Sequence, residues 1–300
     1  MLYLDHWRLR ELPFSITPDT TYYYSCEAAQ AGLNTALVAI ASGEGFIKIT
    51  GEVGTGKTLL ARKLLGMLGG DEWHAAYIPN PKIGPRTLLD ALAEELGTGL
   101  GAEADEHHLY RALNGRLIKL AAEGRRALLL IDEAQAMPVQ TLETVRLLGN
   151  LETEKRKLLQ VVLFGQPELD EKLAQPGIRQ LRQRITFEHC LDAMTLDEVA
   201  GYLDHRLRIA GLAGDTLFTD RAVDLIHQAS GGVPRLINVL AHKAMLLAWG
   251  RGALAVDRAE VRGAIADTAS ARMPKSFFSW ARELFPGSMT SPLSSGGRTQ

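Results

Sequence analysis

Cysteine is scarce in this sequence, and its scarcity limits what kind of protein the chain encodes. There are two cysteines in 300 residues, Cys26 and Cys190, which lie far apart and in no spacing typical of a metal or redox site. A fold held together by disulfides is therefore not indicated. We expect both thiols to be buried in a protein of a reducing compartment.

The sequence also lacks an excess of charge and long apolar runs. Lysine and arginine number 33 against 35 aspartate and glutamate residues, giving a net charge of −2, which makes nucleic acid an unlikely partner but leaves a local basic patch open. No apolar stretch approaches the roughly 18 residues needed to span a membrane, and the N-terminus does not resemble a signal peptide. We expect a cytoplasmic protein with no transmembrane segment, whose association with any membrane comes through partners.

What the sequence does contain is a phosphate-binding pattern. Residues 51–58 read GEVGTGKT and match every position of the pattern G-x-x-x-x-G-K-[ST]. A strand-like run precedes it and a helix-like run follows it, which predicts backbone N–H groups that converge on phosphate oxygens at a helix N-terminus. The residues expected to bind ATP or ADP are Gly51, Gly54, Thr55, Gly56, Lys57, Thr58 and Leu59.

Within this loop two side chains have predicted roles in phosphate chemistry. Lys57 is expected to reach the β- and γ-phosphates and to act in catalysis, and the Thr58 hydroxyl is expected to ligate Mg²⁺. The sequence therefore predicts ATP and Mg²⁺ as ligands.

An acidic pair supplies the second signal. The apolar run 127–131 is typical of a strand buried on both faces, and it delivers Asp132 and Glu133 at its carboxyl end, where open α/β sheets bind their ligands. Such a pair can be an ordinary solvated turn. Downstream of a phosphate loop, it predicts an indirect or water-mediated Mg²⁺ partner in Asp132 and an activator of the attacking water in Glu133.

Strand-like and helix-like segments alternate over the first two thirds of the chain, which predicts a mostly parallel sheet. Four helical segments then follow residue 191. The fold class we predict is α/β, with a three-layer P-loop core and an all-α lid. The predicted strands lie near 45–50, 73–78, 126–131, 158–164 and 184–188, and the predicted domains are an N-terminal linker and helix (1–44), the core (45–190), the lid (191–270) and a tail (271–300).

The third signal lies in the predicted lid. Residues 231–235 read GGVPR, in which glycine and proline set a turn and a helix start, so that Arg235 projects from the first helical turn. In isolation this motif is weak. Behind a P-loop core it predicts that Arg235 contacts the nucleotide and acts as a sensor of the γ-phosphate.

Further segments resemble those of a known family. They are ITPD at 16–19, LLLIDEAQ at 128–135, NLET at 150–153, FGQPEL at 164–169, LRQRI at 181–185 and GGVPRLINVL at 231–240. With the phosphate loop, they make residues 1 to about 270 similar to the AAA+ ATPases of the ExeA/GspA type, which serve type II secretion and include short members associated with the MSHA type IV pilus.

The resemblance implies an ATPase that forms a homo-oligomer and works with pilus or secretion components of the inner membrane. It places the polar residue at the end of the strand after the acidic pair on Gln166, which precedes Pro167 and has a turn-shaping role as its alternative. It also implies an arginine that completes a neighbour's site. Arg184 is the first candidate and Arg182 the second, with two ordinary surface arginines as the alternative.

Longer relatives of this type continue into a membrane span and a cell-wall-binding module, and this sequence ends about 30 residues after its lid, so we expect neither property here. In the tail, aromatic residues at 277–285 fall on one helical face that either docks a partner or folds onto the lid. Residues 286–300 are rich in serine, glycine and proline, which predicts disorder.

The main alternative function is a nucleotide-switched helper that acts on DNA, as in transposition. Near-neutral charge argues mildly against it, and salt-dependent DNA binding would be its signature. A helicase would need a second α/β core, which the helical lid replaces. A small-molecule kinase is disfavoured by the carboxylate pair and the lid arginine.

Overall fold

The computed structural model describes residues 3–99, 105–154 and 156–273. Five strands form one sheet in the order β2-β3-β4-β1-β5, and every neighbouring pair is parallel. This confirms the predicted α/β fold class. The strands are β1 (Phe46–Gly51), β2 (Trp73–Ile78), β3 (Arg126–Ile131), β4 (Leu159–Gly165) and β5 (Ile185–Leu191).

Helices connect the strands and continue after the last of them. The first helix, α1 (Leu4–Trp7), precedes the sheet in the chain and belongs to the helical unit described below. The helices of the α/β part are α2 (Glu27–Ala41), α3 (Lys57–Met67), α4 (Pro85–Glu95), α5 (Glu106–Ala122), α6 (Val139–Leu148), α7 (Glu168–Leu173) and α8 (Arg179–Arg182). Those after the sheet are α9 (Leu196–Ile209), α10 (Asp220–Ser230), α11 (Pro234–Gly250) and α12 (Arg258–Ala266).

Apolar side chains of the central strands cover both faces of the sheet, because successive side chains of a strand point to opposite sides. Leu129 and Ile131 of β3 pack in a cluster with α4, α5 and α6. Leu128 and Leu130 of the same strand pack in a second cluster with α2 and α3. A strand buried on both faces explains why this run shows no polar alternation.

The chain divides into two compact units, neither of which is continuous in sequence. The α/β unit comprises residues 15–198 and 233–235. The helical unit comprises, among the described residues, 3–14, 199–232 and 236–273.

The N-terminal residues belong to the helical unit, which no pattern in the sequence had predicted. The Tyr3 hydroxyl is hydrogen-bonded to Nδ1 of His242 at 2.7 Å. Trp7 Nε1 donates to the carbonyl oxygen of Leu254 at 3.0 Å. Since Tyr3 is fully buried and Trp7 nearly so, these residues are part of the core of that unit.

Three further expectations meet the structure here. Cys26 is buried as expected, but Cys190 is exposed, because it faces outward on β5, the edge strand of the sheet. Among the described residues, no helix has both the length and the hydrophobicity required to cross a membrane. The aromatic face at 277–285 and the predicted disorder of 286–300 lie outside the described residues.

Candidate functional site

The phosphate loop joins β1 to α3 and adopts the backbone conformation that its glycines allow. Gly54 and Gly56 have φ angles of +86° and +99°, in the left-handed region that glycine enters without steric cost. Lys57 begins α3 directly after Gly56. The N-terminus of this helix, with its unpaired N–H groups and positive dipole end, therefore opens onto the loop, as anion binding requires.

Lys57 is held inside the loop. Its side chain is buried, and Nζ donates hydrogen bonds to the carbonyl oxygens of Gly51 at 2.8 Å and Glu52 at 2.9 Å. Burial lowers the pKa of the Lys57 ammonium, while the negative charges of Glu133 and Asp132 act in the opposite direction. A desolvated ammonium with carbonyl partners is available for charged oxygens of a phosphate group.

Thr58 and Asp132 meet across two neighbouring elements, as the sequence predicted for the metal ligands. The Thr58 hydroxyl donates to Oδ2 of Asp132 at 2.6 Å. The backbone N–H of Glu133 donates to Oδ1 of Asp132 at 2.9 Å. Asp132 is only 2% exposed, so these bonds fix both oxygens of a buried carboxylate in place.

Tyr77 is a member of the site that sequence reasoning missed. Its hydroxyl donates to Oδ2 of Asp132 at 3.3 Å. Burial, assisted by the negative charge of Asp132, raises the pKa of Tyr77 to about 12, so the phenol remains a proton donor at neutral pH. The available signal was its position one residue before the end of the predicted strand 73–78, at the edge where β3 delivers Asp132.

This arrangement fits Mg²⁺ bound together with a triphosphate. Mg²⁺ prefers oxygen ligands and is usually held by one or two carboxylates or hydroxyls plus substrate phosphates. Thr58 and Asp132 supply such oxygens beside the phosphate loop. Over the described part of the chain there is no group of three or more histidine, cysteine, aspartate or glutamate side chains that could hold a metal ion.

Two glutamine amides donate hydrogen bonds to the carboxylate of Glu133. Nε2 of Gln135 donates to Oε2 of Glu133 at 2.5 Å, and Nε2 of Gln166 donates to the same oxygen at 3.1 Å. Oε1 of Gln135 accepts from the backbone N–H of Gln166 at 3.0 Å. The structure thus brings the predicted Gln166 to Glu133 and adds Gln135, which stood in the LLLIDEAQ segment without an assigned role.

The turn that carries Gln135 is itself anchored by a lysine of α7. Nζ of Lys172 donates to the carbonyl oxygen of Gln135 and, at 2.7 Å, to that of Met137. The backbone position of Gln135 is therefore fixed from outside the turn, so its amide can hold Glu133 in one orientation.

Arg235 lies against the phosphate loop. Its backbone N–H donates to the carbonyl oxygen of Gly54 at 3.2 Å. A side chain at Gly54 would bring its Cβ within 2.7 Å of the Arg235 Cβ, so this approach requires glycine. The Arg235 side chain is exposed, and its stem starts beside the loop that would hold the phosphates.

Arg184 and Arg182 lie at the opposite edge of the sheet. Arg184 precedes β5, whose first residue Ile185 pairs with Phe46 at the start of β1, and its guanidinium donates to Oδ1 of Asn150. The phosphate loop begins after the other end of β1, roughly 20 Å away for a strand of this length. The structure therefore does not bring either arginine to the phosphate loop of its own chain.

A family model described as an AAA domain matches residues 40–173. General secretion pathway protein A of Aeromonas hydrophila is 41% identical over 251 residues, which are 84% of this chain and 46% of that protein. The chain thus spans less than half the length of this curated relative.

Solved structures share the fold at low identity. The ORC2 protein of Aeropyrum pernix, in ADPNP-ADP complexes, matches with a TM-score of 0.61 and 21% identity, covering 83% of this chain and 69% of its own. Cdc6p of Pyrobaculum aerophilum has a TM-score of 0.66 and 18% identity, over 84% and 69%. The RuvB Holliday junction branch migration motor of Thermotoga maritima has a TM-score of 0.55 and 17% identity, over 91% and 81%.

Proposed function

Because this chain contains an AAA domain and is related to General secretion pathway protein A, we propose that it binds ATP with Mg²⁺ and hydrolyses the bond to the γ-phosphate. The observation that carries the proposal is the meeting of Lys57, the Thr58–Asp132 pair and Glu133 at one edge of the sheet. These are the groups that phosphoryl transfer to water requires.

Binding of the triphosphate falls to the phosphate loop and its lysine. The N–H groups at the start of α3 receive the phosphate oxygens, and the Lys57 ammonium exchanges its carbonyl partners for them. Mg²⁺, held by Thr58 and Asp132, would neutralise charge that develops on the phosphate oxygens.

Glu133 orients and deprotonates the attacking water in this proposal. A general base must be held within hydrogen-bond reach of the proton that it takes. The amides of Gln135 and Gln166 fix Oε2 of Glu133, which leaves the carboxylate one orientation toward the γ-phosphate. Gln166 acts as a positioning residue for Glu133. Arg235, which lies beside Gly54, senses whether a γ-phosphate is bound.

The work driven by hydrolysis is a separate part of the proposal. The relative is named for the general secretion pathway. We propose that this chain uses ATP hydrolysis to act on inner-membrane components of a secretion or type IV pilus apparatus. We further propose that it does so in the cytoplasm as a homo-oligomer in which Arg184 or Arg182 completes a neighbour's site.

Two substitutions separate nucleotide binding from hydrolysis. Lys57→Ala is expected to abolish ATP binding, since it removes the buried cation of the loop. Glu133→Gln should bind ATP with nearly unchanged affinity and lose about 10²–10⁴-fold in kcat, the usual contribution of a general base. Binding is measured with a fluorescent ATP analogue, and turnover by phosphate release.

The matched control is Glu171→Gln, which makes the same chemical change at an exposed position of α7 and should hydrolyse ATP at the unsubstituted rate. Full turnover in Glu133→Gln would remove Glu133 from the mechanism. The same ATP-locked variant serves as bait in the native cell. Recovery of secretion or pilus components supports the proposed partners, whereas recovery of DNA favours the alternative of a DNA-acting helper.

A further inference from the structure

A basic pocket lies at the edge of the sheet opposite the phosphate loop. It has a volume of about 240 Å³, and its polar side chains are those of Arg125, Arg126, Arg156, Lys157 and Gln160. Four segments line it: the turn after α2, the end of α5, the start of β3, and residues 156–160 leading into β4. The nucleotide site lies beyond the carboxyl ends of the same strands, so the two sites are distinct.

Carboxylates neutralise only part of the positive charge in this pocket. Lys157 pairs with Glu152, and Arg125 lies 3.9 Å from Glu123. The other two cations use neutral oxygens. Arg156 donates to the carbonyl oxygen of Ala121 at the end of α5, while Arg126 donates to the carbonyl oxygen of Ile40 and, at 3.1 Å, to Oε1 of Gln160.

Two neighbouring positive charges and one buried N–H donor in this pocket lack full compensation from the protein. Burial lowers the pKa of the Arg126 guanidinium, and the nearby charge of Arg156 lowers it further, while the negative charge of Glu72 acts in the opposite direction. Nε of Arg125 is buried and has no hydrogen-bond partner among the described residues. Two like charges in proximity and a buried donor without an acceptor are costly unless an anion shares the space.

We propose that this pocket binds a phosphate group, with Arg125 and Arg156 as the principal ligands. Guanidinium groups recognise phosphate through paired N–H donors. The Arg126 guanidinium lies over the Trp73 ring, 4.5 Å from its centroid, and this contact holds Arg126 in place within the pocket. Pockets that enclose drug-sized ligands measure roughly 300–1,000 Å³, so this smaller one suits a phosphate or pyrophosphate group at the surface.

Free phosphate compounds and phospholipid headgroups share this chemistry, and the experiment distinguishes them. Inorganic pyrophosphate is titrated calorimetrically, without Mg²⁺, into the full chain carrying Lys57→Ala, which weakens competing binding at the phosphate loop. In parallel, the same protein is floated with phosphatidylcholine vesicles that contain or lack phosphatidylglycerol.

Arg156→Ala and Arg125→Gln are each expected to weaken phosphate binding about tenfold, the effect of one lost charge-assisted hydrogen bond. Arg111→Ala, at an exposed position of α5, is the matched control and should leave binding unchanged. Thermal unfolding checks that each variant is folded, and Arg156→Lys, which keeps the charge, should retain part of the affinity.

Pyrophosphate binding that depends on Arg125 and Arg156 supports a free phosphate compound as ligand. Vesicle binding that requires phosphatidylglycerol and the same two arginines supports a lipid headgroup. Equal affinity in the pocket variants and the control, or no binding of either probe, would overturn the proposal. Binding through these arginines should also weaken as salt is raised.

Discussion

At the scale of single residues, Glu133 is constrained in both its backbone and its side chain. Its φ angle is +52°, in a left-handed region that non-glycine residues enter at a cost of about 1–3 kcal/mol and that is often retained at functional sites. Two glutamine amides hold its carboxylate. These constraints hold the Glu133 carboxylate in one orientation.

The glutamine pair provides a residue-scale prediction. Gln135→Ala and Gln166→Ala should each lower kcat for ATP hydrolysis roughly tenfold, because each removes one donor that orients Glu133, and neither should change the KM for ATP much. The double variant should lose less than the product of the two effects, since both amides act on the same oxygen.

Steady-state kinetics with Gln140→Ala as control check this, because Gln140 is exposed on the neighbouring helix α6. An increase in KM without a change in kcat would show that the glutamines assist nucleotide binding instead of orienting Glu133.

How much of the site could be predicted depended on how local its signals are. Lys57, Thr58 and Asp132 stand in short patterns next to apolar runs, so their chemistry follows from neighbours in sequence. Tyr77 and Gln135 join the site only through strand order and turn geometry, which sequence spacing does not encode.

At the scale of secondary structure, the side-chain burial of the central strand β3 was predictable from the sequence, whereas that of the edge strand β5 was less so. The run that forms β3 is apolar on both faces, which only a buried strand explains. In β5, half-buried and exposed residues alternate, because α2 packs against the face that carries the half-buried residues. The opposite face exposes Cys190, contrary to the expectation of two buried thiols.

The two-faced core yields an element-scale prediction. Leu129→Ala should lower the free energy of unfolding by about 2–5 kcal/mol, since the side chain is fully buried on β3 and its loss leaves a cavity. Leu147→Ala makes the same change on α6, where the side chain is 41% exposed, and should cost less than about 1 kcal/mol.

Urea denaturation of both proteins, with the unfolding of the α/β unit followed separately from that of the helical unit, provides the measurement. Equal losses in the two variants would mean that the β3 cluster relaxes to fill the space.

At the scale of the whole molecule, the distance between Arg184 and the phosphate loop has a consequence for assembly. The two lie at opposite ends of the strands, so Arg184 does not reach the phosphate loop of its own chain, and any role in catalysis would have to be in a neighbouring chain. Arg184→Ala should therefore lower hydrolysis by roughly a thousandfold if it supplies the arginine that completes a neighbour's site, while leaving ATP binding to its own chain intact.

Mixing tests this directly. Arg184→Ala combined with inactive Lys57→Ala should regain part of the activity, because each Lys57→Ala chain still offers its arginine to a neighbour. Arg179→Ala, an exposed arginine of α8, should need no such rescue. Absence of recovery at concentrations where oligomers form would exclude a shared site built on Arg184, and the same mixing with Arg182→Ala would then examine the second candidate.

The discontinuous units also determine when the protein can fold as it emerges from the ribosome. Tyr3 and Trp7 are synthesised 239 and 247 residues before their partners His242 and Leu254. The hydrogen bond from Arg235 to Gly54 likewise waits for most of the chain. Until those partners are synthesised, Tyr3 and Trp7 lack the hydrogen bonds and the burial that they have in the folded helical unit, and exposed apolar side chains of this kind favour aggregation of a nascent chain.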